Sequence, residues 1–127
     1  MPRVTTFENT ITGAANPLGQ TIIENTESEY DLLITHFVVQ GYDTAFGRDA
    51  MRAEIRVTLS ESVVVIGAAV GNIIASGGVA YVCAELKTPW LMQPGERIAG
   101  YVSFSGGLAT NTVDASGGGI YLPKMLI

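Results

Sequence analysis

The chain reads as all-β: a single antiparallel β-sandwich domain, jelly-roll-like, with an extended N-terminal arm. Three features lead there. Over residues 51–60, Met51, Ala53, Ile55, Val57 and Leu59 alternate with Arg52, Glu54, Arg56 and Thr58, the period of a strand with one wet face. Residues 63–84 carry no Lys, Arg, Asp or Glu and are rich in Val and Ile, whose β-branched side chains suit a pleated surface. Gly, Pro, Asn and Ser clusters then divide the 127 residues into seven or eight short apolar runs with no amphipathic helical stretch. A two-sheet jelly roll fits such a series. An immunoglobulin-like sandwich is the alternative, but the single cysteine rules out the Cys…Trp…Cys marker of antibody domains.

Residues 1–19 form the expected arm, mostly Thr, Asn, Gly and Ala, with a short strand possible at 5–12 and a turn at Asn16-Pro17-Leu18-Gly19. The sandwich then occupies 20–127. Residues 20–25 make a short strand, 26–29 a polar turn, and 30–40 (YDLLITHFVVQ) a strongly apolar strand closed by Gly41. A loop follows over 42–50, containing Asp43, Gly47 and Asp49. The alternating strand at 51–60 turns at Ser60-Glu61-Ser62 into the uncharged stretch 63–86, expected as buried strands broken at Ser76-Gly77-Gly78. Residues 87–96 read as a stiff loop holding Pro89, Trp90 and Pro94-Gly95. A strand at 97–104 precedes a Gly/Ser/Thr-rich loop at 105–119, and 120–127 is a last strand that Pro123 would place at an edge.

The uncharged stretch is long enough to raise a membrane span, for which about 20 apolar residues suffice. Its Gly67 and Gly71 even have the spacing of a helix-dimer motif. The β-branched content, the Ser-Gly-Gly break and the acidic rather than basic flanks (Glu61, Glu85) argue for strands instead. A net charge of −5 with only seven basic residues leaves little to neutralise phosphates, so nucleic acid is not an expected partner. Cys83, alone in an apolar run, forms no intrachain disulfide and is expected to be a small buried group. The first residues show no signal-peptide pattern, so assembly in a cytoplasm is expected.

Catalytic chemistry finds little support. His36 is the only histidine, and its nearest conceivable triad partners are Asp114 and Ser116, without a Gly-x-Ser-x-Gly elbow. One Cys and one His do not make a zinc site, and Asp43 and Asp49 lack the spacing of a calcium loop. Neither a phosphate loop nor a dinucleotide fingerprint is present. The expectation is a protein that is not an enzyme and takes no cofactor and no metal. What remains is surface for association. Phe7 and Ile11 are expected to anchor the arm on a neighbour. Trp90, Leu91 and Met92 lie between prolines and are of types enriched at interfaces. An exposed Trp90 with Tyr81, Tyr101 or Tyr121 nearby would alternatively stack on a sugar ring.

The Thr/Asn-rich first residues, YDLLITHFVV at 30–39, LMQPGERIAGYVSF at 91–104 and SGGG at 116–119 together give a chain that resembles small β-sandwich virion proteins of tailed bacteriophages. Head decoration (cement) proteins and the knobs of fibres or spikes are the nearest kinds. That resemblance implies a structural virion protein that forms a homo-oligomer, a trimer above all. It would bind the major capsid protein or another virion protein and reinforce the capsid lattice. The alternative is the carbohydrate- or receptor-binding head of a fibre or spike.

Overall fold

Alternating and uncharged apolar runs alike become strands in the computed structural model, which describes residues 2–13, 17–43, 50–59, 61–72, 80–104 and 111–124. The expected Ser-Gly-Gly break at 76–78, most of the 42–50 loop and the last residues 125–127 lie outside the described residues. The described residues form nine strands: β1 (Arg3–Gly13), β2 (Leu18–Glu24), β3 (Tyr30–Asp43), β4 (Ala50–Thr58), β5 (Val63–Asn72), β6 (Ala80–Glu85), β7 (Trp90–Met92), β8 (Arg97–Phe104) and β9 (Asn111–Pro123). They form two antiparallel sheets. Sheet I has the order β1-β9-β3-β6, with β7 also pairing β3, and sheet II has the order β2-β8-β4-β5. The three-residue β7 aside, the chain alternates between sheets except at the β4–β5 hairpin and closes with β9 beside β1. This is the strand order of a jelly roll.

The inner rows of the two sheets make one core. Sheet I contributes Leu32, Ile34, Phe37, Val39, Val113 and Ala115; sheet II contributes Ala53, Ile55, Val57, Ile98 and Val102, all at most 2% exposed. Asn25 is fully buried and fully used. Its amide donates to the carbonyl oxygens of Tyr30 and Met92 at 3.0 Å each, and its side-chain oxygen accepts from the Glu27 amide at 3.1 Å. Buried carbonyls left without donors are costly, so this residue ties the β2–β3 turn to β7. Gly95 turns the chain toward β8 with φ +88°, a conformation that side chains resist. Arg3 lies over the rings of Tyr30 and Tyr121, 5.3 and 4.7 Å from their centroids, and pairs with Glu27 at 2.9 Å, closing the start of β1.

Several expectations need correction. Residues 3–13 are not an arm: all eleven pair with β9, and Phe7 stacks on the core residue Phe37 at 5.7 Å between centroids. Their polar composition reflects an edge strand with one open face. The Gly-rich segment is not a loop from 111 onward. Asn111–Pro123 is the middle strand of sheet I, paired with β1 on one side and β3 on the other. Pro123 therefore marks the end of a central strand, not an edge. β5 is not buried: Val63, Val65 and Val70 are 58%, 45% and 62% exposed at the margin of sheet II. Its uniform apolarity hides an alternation in which one row faces out. Within the expected stiff loop 87–96, β7 forms and drives Met92 into the core.

The glycines of β9 stand where a strand has no room for side chains. Thr35 is an extra residue in β3, bulged between the pairs Ile34–Gly119 and His36–Gly118. The bulge pushes β3 onto β9. A Cβ at Gly117 would lie 2.5 Å from the His36 carbonyl oxygen, one at Gly118 would lie 2.6 Å from the His36 ring, and one at Gly119 would fall on the Leu33 carbonyl oxygen. Gly119→Ala is therefore expected to lower stability by about 3 kcal/mol, because the obstacle is backbone. Gly95→Ala, with nothing within 4 Å of the added carbon, is expected to cost only about 1–2 kcal/mol of backbone strain. Urea unfolding midpoints of the two variants measure the difference; equal effects would contradict the packing account.

Candidate functional site

Side chains that point away from the core define what the protein can touch. On the outer face of sheet I, ladder pairing sets Val4 beside Ile120, Ile120 beside Leu33, and Leu33 beside Leu91. An aliphatic row thus crosses four strands, with Val4 80% and Leu91 46% exposed at its ends. Further along the same face a cleft of about 450 Å³ opens against Thr6, Glu8, His36 and Ser116. The face carries the carboxylates Glu8, Asp31, Glu85 and Asp114. One carboxylate oxygen of Asp31 is buried without a hydrogen-bond partner among the described residues.

The β5 margin of sheet II is different. Val63, Val65, Ala68 and Val70 point outward from an edge strand, opposite Thr58, Arg56, Glu54 and Arg52 of β4. Between residues 64–66 of β5 and the segment 86–90 lies an apolar groove of about 460 Å³, with Lys87 and Trp90 among its lining residues. The segment is fixed to sheet I by the Leu86 amide, which donates to the Phe37 carbonyl at 2.9 Å. On β4, Glu54 accepts from Arg52 at 2.7 Å and from Arg56 at 2.8 Å, and Arg56 also lies 4.2 Å above the Tyr101 ring. Two guanidinium donors hold the Glu54 carboxyl below its ordinary value, against the opposing effect of partial burial.

The residues expected at an interface divide between core and surface. Met92 is fully buried, and Phe7 and Ile11 pack against their own core, so these three brace the domain from within. Leu91 is exposed. Trp90 is half-buried against the core, with its indole nitrogen enclosed and unpartnered among the described residues. Tyr101 and Tyr121 lie in different sheets and under different arginines, so those two do not form one aromatic platform, and the Tyr81 side chain lies outside the described residues. His36 is exposed, not in the core, and Cys83 is half-buried on the outer face opposite Gln40. His36 and Ser116 do share a cleft, but the His36 ring nitrogen pairs with the Thr35 hydroxyl at 3.2 Å, while Asp114 accepts from Thr10 at 3.0 Å. No nucleophile–base–acid relay links them. Among the described residues no three His, Cys, Asp or Glu side chains gather as metal ligands. No described helix is long and apolar enough to cross a membrane. The exposed margin valines are the feature sequence reasoning missed; their pairing opposite charged β4 residues was the available signal.

No family model matches the chain, and no curated protein does. Among solved structures, a chain of the cyanophage Pam1 capsid asymmetric unit is similar, with a TM-score of 0.55 at 12% identity over 96% of this chain and 86% of that one. The likeness therefore spans the fold end to end. Eiger TNF from S. frugiperda aligns over 98% of this chain and 94% of that one at 9% identity, with a TM-score of 0.44.

The Arg52–Glu54–Arg56 row has a testable pH signature. Glu54 has its pKa depressed in the folded chain, so its contribution is complete above the ordinary carboxylate value of 4.5 and is lost as pH falls through the folded value. Glu54→Gln is expected to be less stable than the parent at neutral pH, with the gap closing in acid. Urea midpoints across that range check it; a gap that does not narrow would remove Glu54 as the titrating group.

Proposed function

We propose that this chain is a non-enzymatic structural protein of a virus particle, acting as a decoration or cement protein that associates with itself and reinforces a capsid lattice. The end-to-end fold likeness to a chain of a cyanophage capsid asymmetric unit carries this reading. The surface supports it with two separate exposed apolar regions, the row ending at Val4 and Leu91 and the β5 margin.

Mechanistically, such a protein needs only adhesion. Burying exposed Val and Leu side chains gives about 25 cal/mol per Å² of apolar area removed from water. Holding several copies in one oligomer multiplies weak contacts to a repeating lattice through effective concentration. The β1 segment takes no part as a free arm, because it is needed in the sheet; contacts must come from faces and edges. A homotrimer seated on the major capsid protein is the form this reading takes.

Purified particles encoded with this gene provide the test. Quantitative mass spectrometry is expected to find the chain at a copy number matching a repeating capsid site. Stripping it is expected to lower the temperature at which the shell ruptures. Absence from particles, or a handful of copies confined to the tail, would refute the decoration role.

A further inference from the structure

We infer that the β5 margin of one copy seats on the outer face of sheet I of a second copy, a head-to-tail contact between two different surfaces of the same chain. This rests on the self-association proposed above and specifies its interface.

Each surface has an apolar centre. The margin presents Val63, Val65 and Val70, and the face presents the row from Val4 to Leu91. Their charged surrounds differ in sign. At the strand positions described on the outer face of sheet I, Glu8, Asp31, Glu85 and Asp114 have no Lys or Arg among them; Lys124 stands just beyond, near Asp31. At the margin, Arg52 and Arg56 share the carboxylate Glu54, Lys87 lines the groove, and the exposed Glu61 precedes β5, so three cations stand against two carboxylates. Two faces of sheet I brought together would oppose four carboxylates to four, and two margins would oppose arginine to arginine. Margin on face brings cations to carboxylates, so electrostatics selects the unlike pairing. A contact between unlike surfaces leaves one of each free at every step and so closes into a ring or continues as a filament.

The test uses two double variants of the full chain. Val63→Asp/Val65→Asp spoils the margin and leaves the face; Val4→Asp/Leu91→Asp spoils the face and leaves the margin. All four positions are at least 45% exposed, and circular dichroism confirms folding before use. Native mass spectrometry is expected to show the parent as an oligomer, each variant alone as a monomer, and their equimolar mixture as a one-to-one heterodimer through the remaining intact pair. Should either variant fail to fold, cysteine cross-linking in a Cys83→Ser background replaces it. Val65→Cys with Leu91→Cys is expected to link chains, and neither alone. Variants that still assemble like the parent overturn this interface while leaving self-association standing, as does a disulfide dimer of Val65→Cys alone. Variants that assemble but no longer bind capsids assign the surfaces to the capsid and likewise overturn it. A parent that stays monomeric at every concentration overturns both.

Discussion

The close approach of three backbones at Gly117-Gly118-Gly119 is the constraint on which the rest of the sandwich depends. β9 must pair with β1 and β3 at once, and β3 carries the Thr35 bulge at that point. The bulge lets Ile34 and Phe37 both face the core, at 0% and 1% exposure, although they lie three residues apart. An odd separation in a regular strand would send one of them to solvent. The three glycines accept the displaced β3 backbone, and Phe7 and Phe37 cover the gap that Gly117 leaves. Bulge, glycines and aromatic pair are one device, and it fixes which residues of β3 remain outside.

The same device explains what the sequence could and could not disclose. The alternation of β4 and the compact runs of β3 and β8 signal themselves, because period two and β-branched content act within a single strand. Arg97–Phe104 was expected with the same ends that it has. A run of glycines, by contrast, has two meanings locally: freedom to turn, or absence of bulk where another strand presses in. Only the neighbour decides, and here it is a bulge some eighty residues away. β1 was obscured in the same way. A Thr- and Asn-rich strand has no local apolar face to announce it, and its place comes from eleven pairings with the far end of the chain.

β5 posed the reverse problem. A run without charge predicts burial because exposed aliphatic surface is unfavourable, but even in the inner row Gly67 and Ala69 are only half-buried and Val64 is exposed. Among the described residues the outer row has no covering element. Sheet II ends there, so Val63, Val65 and Val70 meet solvent in the single chain. The candidate surfaces were thus half legible: Leu91 was named from composition, whereas the valines were hidden by a rule that describes isolated domains. Met92 and Phe7 failed as surface residues for a shared reason. Apolar types enriched at interfaces are the same types that fill cores, and the register of a three-residue strand separates Leu91 from Met92.

An uncharged edge strand is usually a hazard, since its open backbone invites another strand to add without limit. Here a bulge works against that. Ile66 is an extra residue in β5, bulged between the pairs at Gly67 and Val65, which bends the strand away from the regular geometry that a joining strand needs. On the inner side the Glu85 carbonyl of β6 lies so near Gly67 that an added Cβ would come within 3.2 Å, so sheet I packs closely over the inner face of β5. The hydrogen-bonding edge is blunted while the valine side chains stay open. Under the proposed margin-to-face contact, association would proceed through side-chain packing, which shape and charge can limit, and not through strand addition, which repeats wherever an edge is free. β5 thus separates a bulged backbone edge from an open side-chain surface within ten residues.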